Sequence, residues 1–234
     1  MTKPGRDEAG TLLDRVDFFR RMEPELKKHL LKLVQLRRFE REGVILTQEE
    51  AGTSLYFIFE GRVKVVLYGE DGKEITLSTL GTGAFFGEMA MIDGEPRSAS
   101  VVALEETGLL IITQKDFLGL IRRYPRVAIE FLSEMSRRLR KADEMIGSLA
   151  LLDVAGRVAR FLLNLAKEEG VQEAGGMIVS SRPTHQEIAS RIGTTRETVT
   201  RVLGELVSRG YITIKGKKVI VHESLPPPAR LSLR

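Results

Sequence analysis

The chain changes hydrophobic period twice along its N-terminal two thirds, and each change marks a different kind of element. In residues 12–36 the apolar positions Phe18, Leu26, Leu30 and Leu33 fall at helical intervals, predicting one or two short helices that turn those side chains toward a core. Residues 38–113 read differently. Short alternating or wholly apolar runs at 55–59, 62–68, 74–80, 99–104 and 109–113 are separated by Glu60-Gly61, Asp71-Gly72, Gly81 and Gly83. Strand-length runs at roughly 8–12-residue spacing, broken by turn residues, predict an antiparallel β-roll.

A third pattern begins near Pro125 and continues to about Leu152. Leu132, Met135, Leu139, Ala142, Ile146 and Leu149 alternate spacings of three and four, an a/d seam that buries best against a matching helix. Flanking charges at Arg137, Arg138, Arg140, Lys141, Asp143 and Glu144 favour a two-fold dimer seam over one helix packed on its own domain. Asp153 interrupts the pattern and can cap a further helix over 154–167, which places the hinge there. Gly175-Gly176 ends that helical region, 177–179 fits a short strand, and the segment from about 226, opening with Pro226-Pro227-Pro228, is expected to be a disordered tail. The fold class is α+β in three segments: a β-roll sensing domain over 1–124, a dimerisation helix and hinge over 125–152, and a C-terminal domain over 153–234.

That last domain carries paired helix starts. Thr184-His185-Gln186-Glu187 reads as a capping box opening a short helix with Ile188, Ala189 and Ile192 buried, stopped by Gly193. Thr194-Thr195-Arg196-Glu197 reads as a second box, opening a helix with Val199, Val202, Leu203, Leu206 and Val207 as its apolar stripe. Two capped helices around one glycine turn outline a helix-turn-helix. Thr195 and Arg196 sit in the first turn of the second helix, and Glu197, Arg201 and Ser208 lie opposite its stripe. Such a helix reads base edges in the major groove, with Arg forking onto guanine and Glu accepting from cytosine. Beyond it, residues 211–214 and 219–221 flank Lys215-Gly216-Lys217-Lys218, a hairpin wing whose lysines would face phosphate. Glu197 has the capping box as a sufficient structural reason, and the arginines could be solvated helix charges.

Charge supports that placement. The net charge is +4, but from Ala155 onward thirteen Lys and Arg face seven Glu, while the remainder is slightly acidic. A basic C-terminal third suggests a polyanion partner, double-stranded DNA. No apolar run approaches the ~20 residues of a membrane helix, and residues 1–17 lack the apolar core of a signal peptide, so a cytoplasmic protein is expected. Cysteine is absent, which excludes disulfides, thiolate metal sites and a cysteine-ligated iron–sulfur cluster.

A second constellation lies between β-runs at Phe86-Gly87-Glu88 and Arg97-Ser98. Gly87 permits close backbone approach, Glu88 can accept from a hydroxyl, and Arg97 can fork onto a phosphate. A small anionic ligand with a neighbouring sugar would use all three; a surface turn held by a Glu88–Arg97 ion pair would use none.

With these motifs the chain from about Leu12 to Glu223 resembles the CRP/FNR family of transcription regulators. The run of Phe-Gly-Glu, eight residues, then Arg at 86–97 is similar to that family's phosphate-binding cassette. The resemblance implies that Gly87 and Ser98 contact a cyclic nucleotide, Glu88 holds the ribose 2′-hydroxyl and Arg97 neutralises the cyclic phosphate. Residues 149–157 resemble the hinge of the family's cyclic-AMP-binding members, and Arg196-Glu197-Thr198-Val199 with Arg201 their recognition helix, implying half-sites like TGTGA in a palindrome. Cyclic AMP as effector, a homodimer and RNA polymerase as partner are implied in the same way. Arg138 keeps its family counterpart, but the Thr-Ser pair that touches adenine falls on Ala142 and Asp143. Ala142 offers no side-chain hydrogen bond; Asp143 could accept from a purine base or be a solvated charge beside the seam. That departure leaves a nucleotide-independent or differently gated regulator open. His29, His185 and His222 are widely separated in sequence, so no haem or other metal site is expected. An enzyme is not expected either, because no nucleophile–base pair or nucleotide-hydrolysing loop is present. A non-specific architectural DNA protein is the remaining alternative.

Overall fold

The computed structural model describes residues 12–231 apart from 21, 70, 71 and 174, so Asp71 of the expected Asp71-Gly72 turn, residues 1–11 of the polar start and residues 232–234 of the expected tail lie outside the described residues. The chain divides into two compact units, one through Arg137 and one from Arg138.

In the first unit, helices α1 (Asp17–Arg20) and α2 (Pro24–Leu33) precede strands β1 (Gln35–Phe39), β2 (Val44–Leu46), β3 (Ser54–Glu60), β4 (Arg62–Tyr68), β5 (Glu74–Gly81) and β6 (Phe85–Phe86). The short helix α3 (Glu88–Asp93), strands β7 (Ser100–Ala103) and β8 (Thr107–Thr113) and helix α4 (Gln114–Arg123) follow. The strands form two four-stranded antiparallel sheets, β1-β8-β3-β6 and β2-β7-β4-β5, which is the expected β-roll. Alternation explains how one strand serves two cores. On β3, Leu55, Phe57 and Phe59 enter the core shared with the helices, while Ile58 enters the core on the other face. On β8, Leu110 and Ile112 join the first and Leu109 the second. Strands buried on both faces therefore read as continuous apolar runs.

Three strands of this unit escaped the sequence pattern. β1 carries Arg37 and Arg38 outward on an edge, so polar side chains mask its period, and Leu36 belongs to this strand rather than to a helix. β2 and β6 are too short for any period to show. Helix α4 was also unpredicted; Thr113 caps it by accepting from Asp116 N at 3.2 Å, and Phe117 and Leu120 anchor it.

Helix α5 (Arg126–Leu151) begins in the first unit, where Val127 and Phe131 are buried and Phe131 stacks on Phe85 with centroids 5.0 Å apart. Met135 packs against this same core, so one expected seam position is used internally. Leu132, Leu139 and Ile146 are 59%, 64% and 63% exposed, and Ala142 and Leu149 are also exposed. Among the described residues nothing covers Leu132, Leu139 or Ile146, whereas Leu149 lies beside Gly193 within the second unit.

The second unit continues with α6 (Val154–Glu169), β9 (Val171–Glu173), β10 (Gly176–Val179), α7 (His185–Ile192), α8 (Arg196–Ser208), β11 (Ile212–Lys215) and β12 (Lys218–Val221). Asp153 caps α6 as expected, accepting from Gly156 N at 2.7 Å. That helix stops at Gly170, and β9 intervenes before Gly175-Gly176. The sheet order is β11-β12-β10-β9, and α6, α7 and α8 close one core over it. The proline-rich segment does not behave as a disordered tail over its described part. Pro228–Arg230 form a 3-10 turn packed on α6, Leu225 and Leu231 are buried in the core, and a Cβ on Gly156 would lie 2.8 Å from Pro228 O. Two buried leucines outweigh the prolines' lack of hydrogen-bond donors.

Candidate functional site

The ligand constellation is assembled by β6. Tyr56 of β3 pairs with Phe86, which delivers Gly87 to the rim of the roll. Gly87 has φ 82, ψ 13 and caps α3, a left-handed geometry that favours glycine. An added Cβ there would sit 2.8 Å from Arg97 Nη1 and 3.1 Å from Ser54 O. Arg97 itself is held by its backbone, whose N donates to Glu50 O and whose O accepts from Glu49 N, each at 2.9 Å. Its guanidinium donates from Nη1 to Gly87 O at 2.6 Å and from Nη2 to Ser54 O at 3.0 Å, and lies 5.8 Å from the Tyr56 ring centroid.

Arg97 is 5% and Glu88 7% exposed. A solvated surface turn would not bury either. Sequestering a guanidinium is costly unless its donors are used, and two of its five are spent on these carbonyls. The cradle therefore suits an anion, and Gly87 leaves no room for a side chain beside Arg97. Ser98 is exposed and donates to Met89 Sδ at 3.4 Å. The structure thus gathers Gly87, Glu88, Arg97 and Ser98 at one rim.

Sequence reading missed Gly52, Ser54 and Tyr56 here. A Cβ on Gly52 would fall 2.1 Å from Arg97 Nε, so the arginine depends on this glycine no less than on Gly87. Only its residue type hinted at this. On α5, Arg138 is half-buried, and Ala142 and Asp143 are exposed.

The helix-turn-helix is built from its caps. Thr184 accepts from Glu187 N at 3.2 Å, and Glu187 accepts from Thr184 N at 2.6 Å, completing the first capping box. Gly193, φ 65, ends α7. The second box does not form as expected. Thr195, not Thr194, caps α8 by accepting from Thr198 N at 3.3 Å, so Glu197 falls at the second helical position and takes no part in the cap. Its exposed carboxylate loses the structural explanation that the sequence offered. Val199, Val202, Leu203 and Leu206 are buried, but Val207 is 42% exposed and leaves the stripe.

Arg196, Glu197, Arg201 and Ser208 are exposed, and Arg201 pairs with Glu205 one turn on. Lys215, Lys217 and Lys218 stand exposed on the β11–β12 wing around Gly216, and Arg182 N donates to Lys217 O at 2.7 Å, tying the wing to the segment before α7. His185 Nδ1 lies 2.7 Å from Thr200 Oγ1, whose own hydrogen goes to Arg196 O at 2.9 Å. The imidazole therefore donates, locking α7 to α8. Partial burial, then the Arg182 and Arg196 charges, hold its pKa below the usual imidazole value. His222 is likewise structural: Nδ1 donates to Gly175 O at 2.8 Å and Nε2 accepts from Thr213. Among the described residues no group of three metal-ligating side chains occurs, and no helix is long and apolar enough to cross a membrane.

Comparison with known proteins meets this geometry in both units. Residues 36–124 match the cyclic nucleotide-binding domain and residues 156–224 the Crp-like helix-turn-helix domain. The chain is 33% identical over 213 residues to a CRP-like cAMP-activated global transcriptional regulator of Mycobacterium tuberculosis, covering 91% of this chain and 95% of that one. It is 37% identical over 189 residues to the cAMP-activated global transcriptional regulator CRP of Salmonella typhimurium, covering 80% and 89%. Among solved structures it resembles the c-di-GMP responsive global regulator CLP of Xanthomonas campestris, with TM-score 0.74, 25% identity and coverage of 86% and 100%. With one unit built as a nucleotide-binding roll and the other as a winged helix-turn-helix, the chain belongs to the CRP/FNR family of cyclic-nucleotide-binding transcription regulators.

Proposed function

We propose that this chain is a cytoplasmic homodimer that binds cyclic AMP and, in response, reads a TGTGA-like palindrome. The observation that carries the reading is Arg97, a buried guanidinium pressed between Gly52 and Gly87. In this reading Arg97 neutralises the cyclic phosphate, Gly87 and Ser98 approach it, and Glu88 accepts from the ribose hydroxyl. Charge-assisted contacts of this kind favour a nucleotide with one ring-closed anion beside a free 2′-hydroxyl. Asp143, where one of the family's base-touching pair falls, is the candidate acceptor from a purine base, and Arg138 retains its family counterpart.

The DNA half rests on the outward face of α8. Arg196, Glu197 and Arg201 read base edges, Thr195 lies beside the backbone, and Lys215, Lys217 and Lys218 neutralise phosphate. The stripe of Leu132, Leu139, Ala142, Ile146 and Leu149, with Met135 at its margin, meets its copy in a second chain. Dimeric helix-turn-helix regulators, this family among them, place recognition helices about 34 Å apart, in successive major grooves. Nucleotide binding acts on the hinge at Asp153, and the DNA-bound dimer recruits RNA polymerase.

Replacing Arg97 with Leu tests the ligand half. The variant is expected to lose its nucleotide response while remaining dimeric by sedimentation; unchanged nucleotide affinity by calorimetry would sink the assignment. A second reading, a nucleotide-independent or differently gated regulator, is favoured by Ala142, which has no group to hydrogen-bond a base. Comparing cyclic AMP, cyclic GMP and cyclic di-GMP in the same titration separates the two.

A further inference from the structure

We infer that a cavity between the second half of α5, α6 and α7, lined by four cationic side chains and by Phe161, is a separate binding site for a small aromatic anion. It lies wholly within the second unit and has a volume of about 220 Å³, suited to a single ring bearing one anionic group. Lys141 of α5, Arg157 and Arg160 of α6 and Arg191 of α7 line it, against the carboxylates of Glu144 and Glu168. The cations exceed the carboxylates by two, and a concave wall concentrates their potential on an anion.

Aromatic recognition comes from Phe161, with the Arg191 guanidinium 5.8 Å from its ring centroid. A ligand ring placed there would share the guanidinium with Phe161. Arg157 supplies the rigid corner: Nε donates to Ile192 O at 3.0 Å and Nη1 to Leu152 O at 3.1 Å, so its charge is fixed by backbone rather than by a carboxylate.

The cavity is not a by-product of the exposed stripe on α5. Lys141, Glu144, Met145 and Ser148 line it, at spacings of three, one and three, and of the stripe residues only Leu149 joins them. At 3.6 residues per turn that face lies roughly 130° around the helix from the centre of the stripe. A second chain on the stripe would leave most of it accessible. An anion held between Lys141 and the arginines of α6 and α7 would brace α5 against both across the Leu152–Asp153 break. Occupancy should therefore change DNA affinity.

Phenyl phosphate is a suitable probe, titrated calorimetrically into full-length Arg97→Leu so that the nucleotide cradle does not compete. One equivalent per chain should bind, Arg160→Gln added to that background should weaken binding at least tenfold, and Arg160→Lys should restore most of it. Inorganic phosphate should bind at least tenfold more weakly than phenyl phosphate. No binding to Arg97→Leu, or affinity indifferent to Arg160→Gln, would overturn the assignment. If Arg97→Leu does not fold, wild type in excess cyclic AMP serves instead, with the same two outcomes. Loss of cyclic AMP binding in Arg97→Leu with phenyl phosphate binding retained keeps the two sites distinguishable.

Discussion

Gly52 shows how a single missing carbon makes room for a buried guanidinium. Because its Cβ would overlap the Arg97 guanidinium, Gly52→Ala is expected to displace that arginine and weaken cyclic-nucleotide binding by at least tenfold in calorimetry, with the roll still folded. A nucleotide affinity unchanged by the substitution would remove Arg97 from the site. At the DNA face the cap shift separates two neighbours. Thr195→Ala should cost about 1 kcal/mol of stability as a lost cap, whereas Glu197→Ala should leave the melting temperature unchanged and relax one base position by roughly 1–3 kcal/mol. His185 adds a pH dependence. With its folded pKa lowered, the unfolded chain binds the proton more tightly, so stability is full above the unfolded value of 6.5 and declines as pH falls below it. His185→Gln should flatten that acid limb in denaturant titrations. At this scale Arg97, Gly87 and Glu88, whose residue types alone fitted a surface turn equally well, were singled out because their run resembles the family's phosphate-binding cassette. Gly52 and Ser54 were not, because they meet Arg97 only through the folding of the roll, and Glu197 was misassigned because two adjacent threonines offer alternative caps.

Helix α5 and the terminal segment make opposite demands on their apolar residues. Leu139 is 64% exposed at the middle of the stripe, so Leu139→Lys should shift sedimentation from dimer to monomer with little loss of monomer helicity. A dimer that survives the change would place the seam elsewhere. Leu231 is buried in the helix-turn-helix core, and Leu231→Ala should destabilise the second unit by about 2 kcal/mol, near the low end for core leucines. The long strands and helices were readable since their periods persist for many residues. The edge strand β1, the short β2 and β6 and the proline-rich 3-10 turn were not. Their burial depends on partners distant in sequence, such as the pairing of Gln35 with Ile111 and the packing of Pro228 on Gly156.

For the molecule as a whole, two units with separate cores carry separate halves of one function, and the chain's basic charge is concentrated on the half that carries the wing. The most direct test is anisotropy of a fluorescent TGTGA-type palindrome titrated with the protein, with and without cyclic AMP, at about 0.1 M salt, where long-range charge is largely screened. Tight binding only when cyclic AMP is present, and weak binding to a scrambled duplex throughout, is the expected result. Equal binding with and without cyclic AMP would contradict gating by that nucleotide, and equal binding to scrambled DNA would contradict sequence reading by α8.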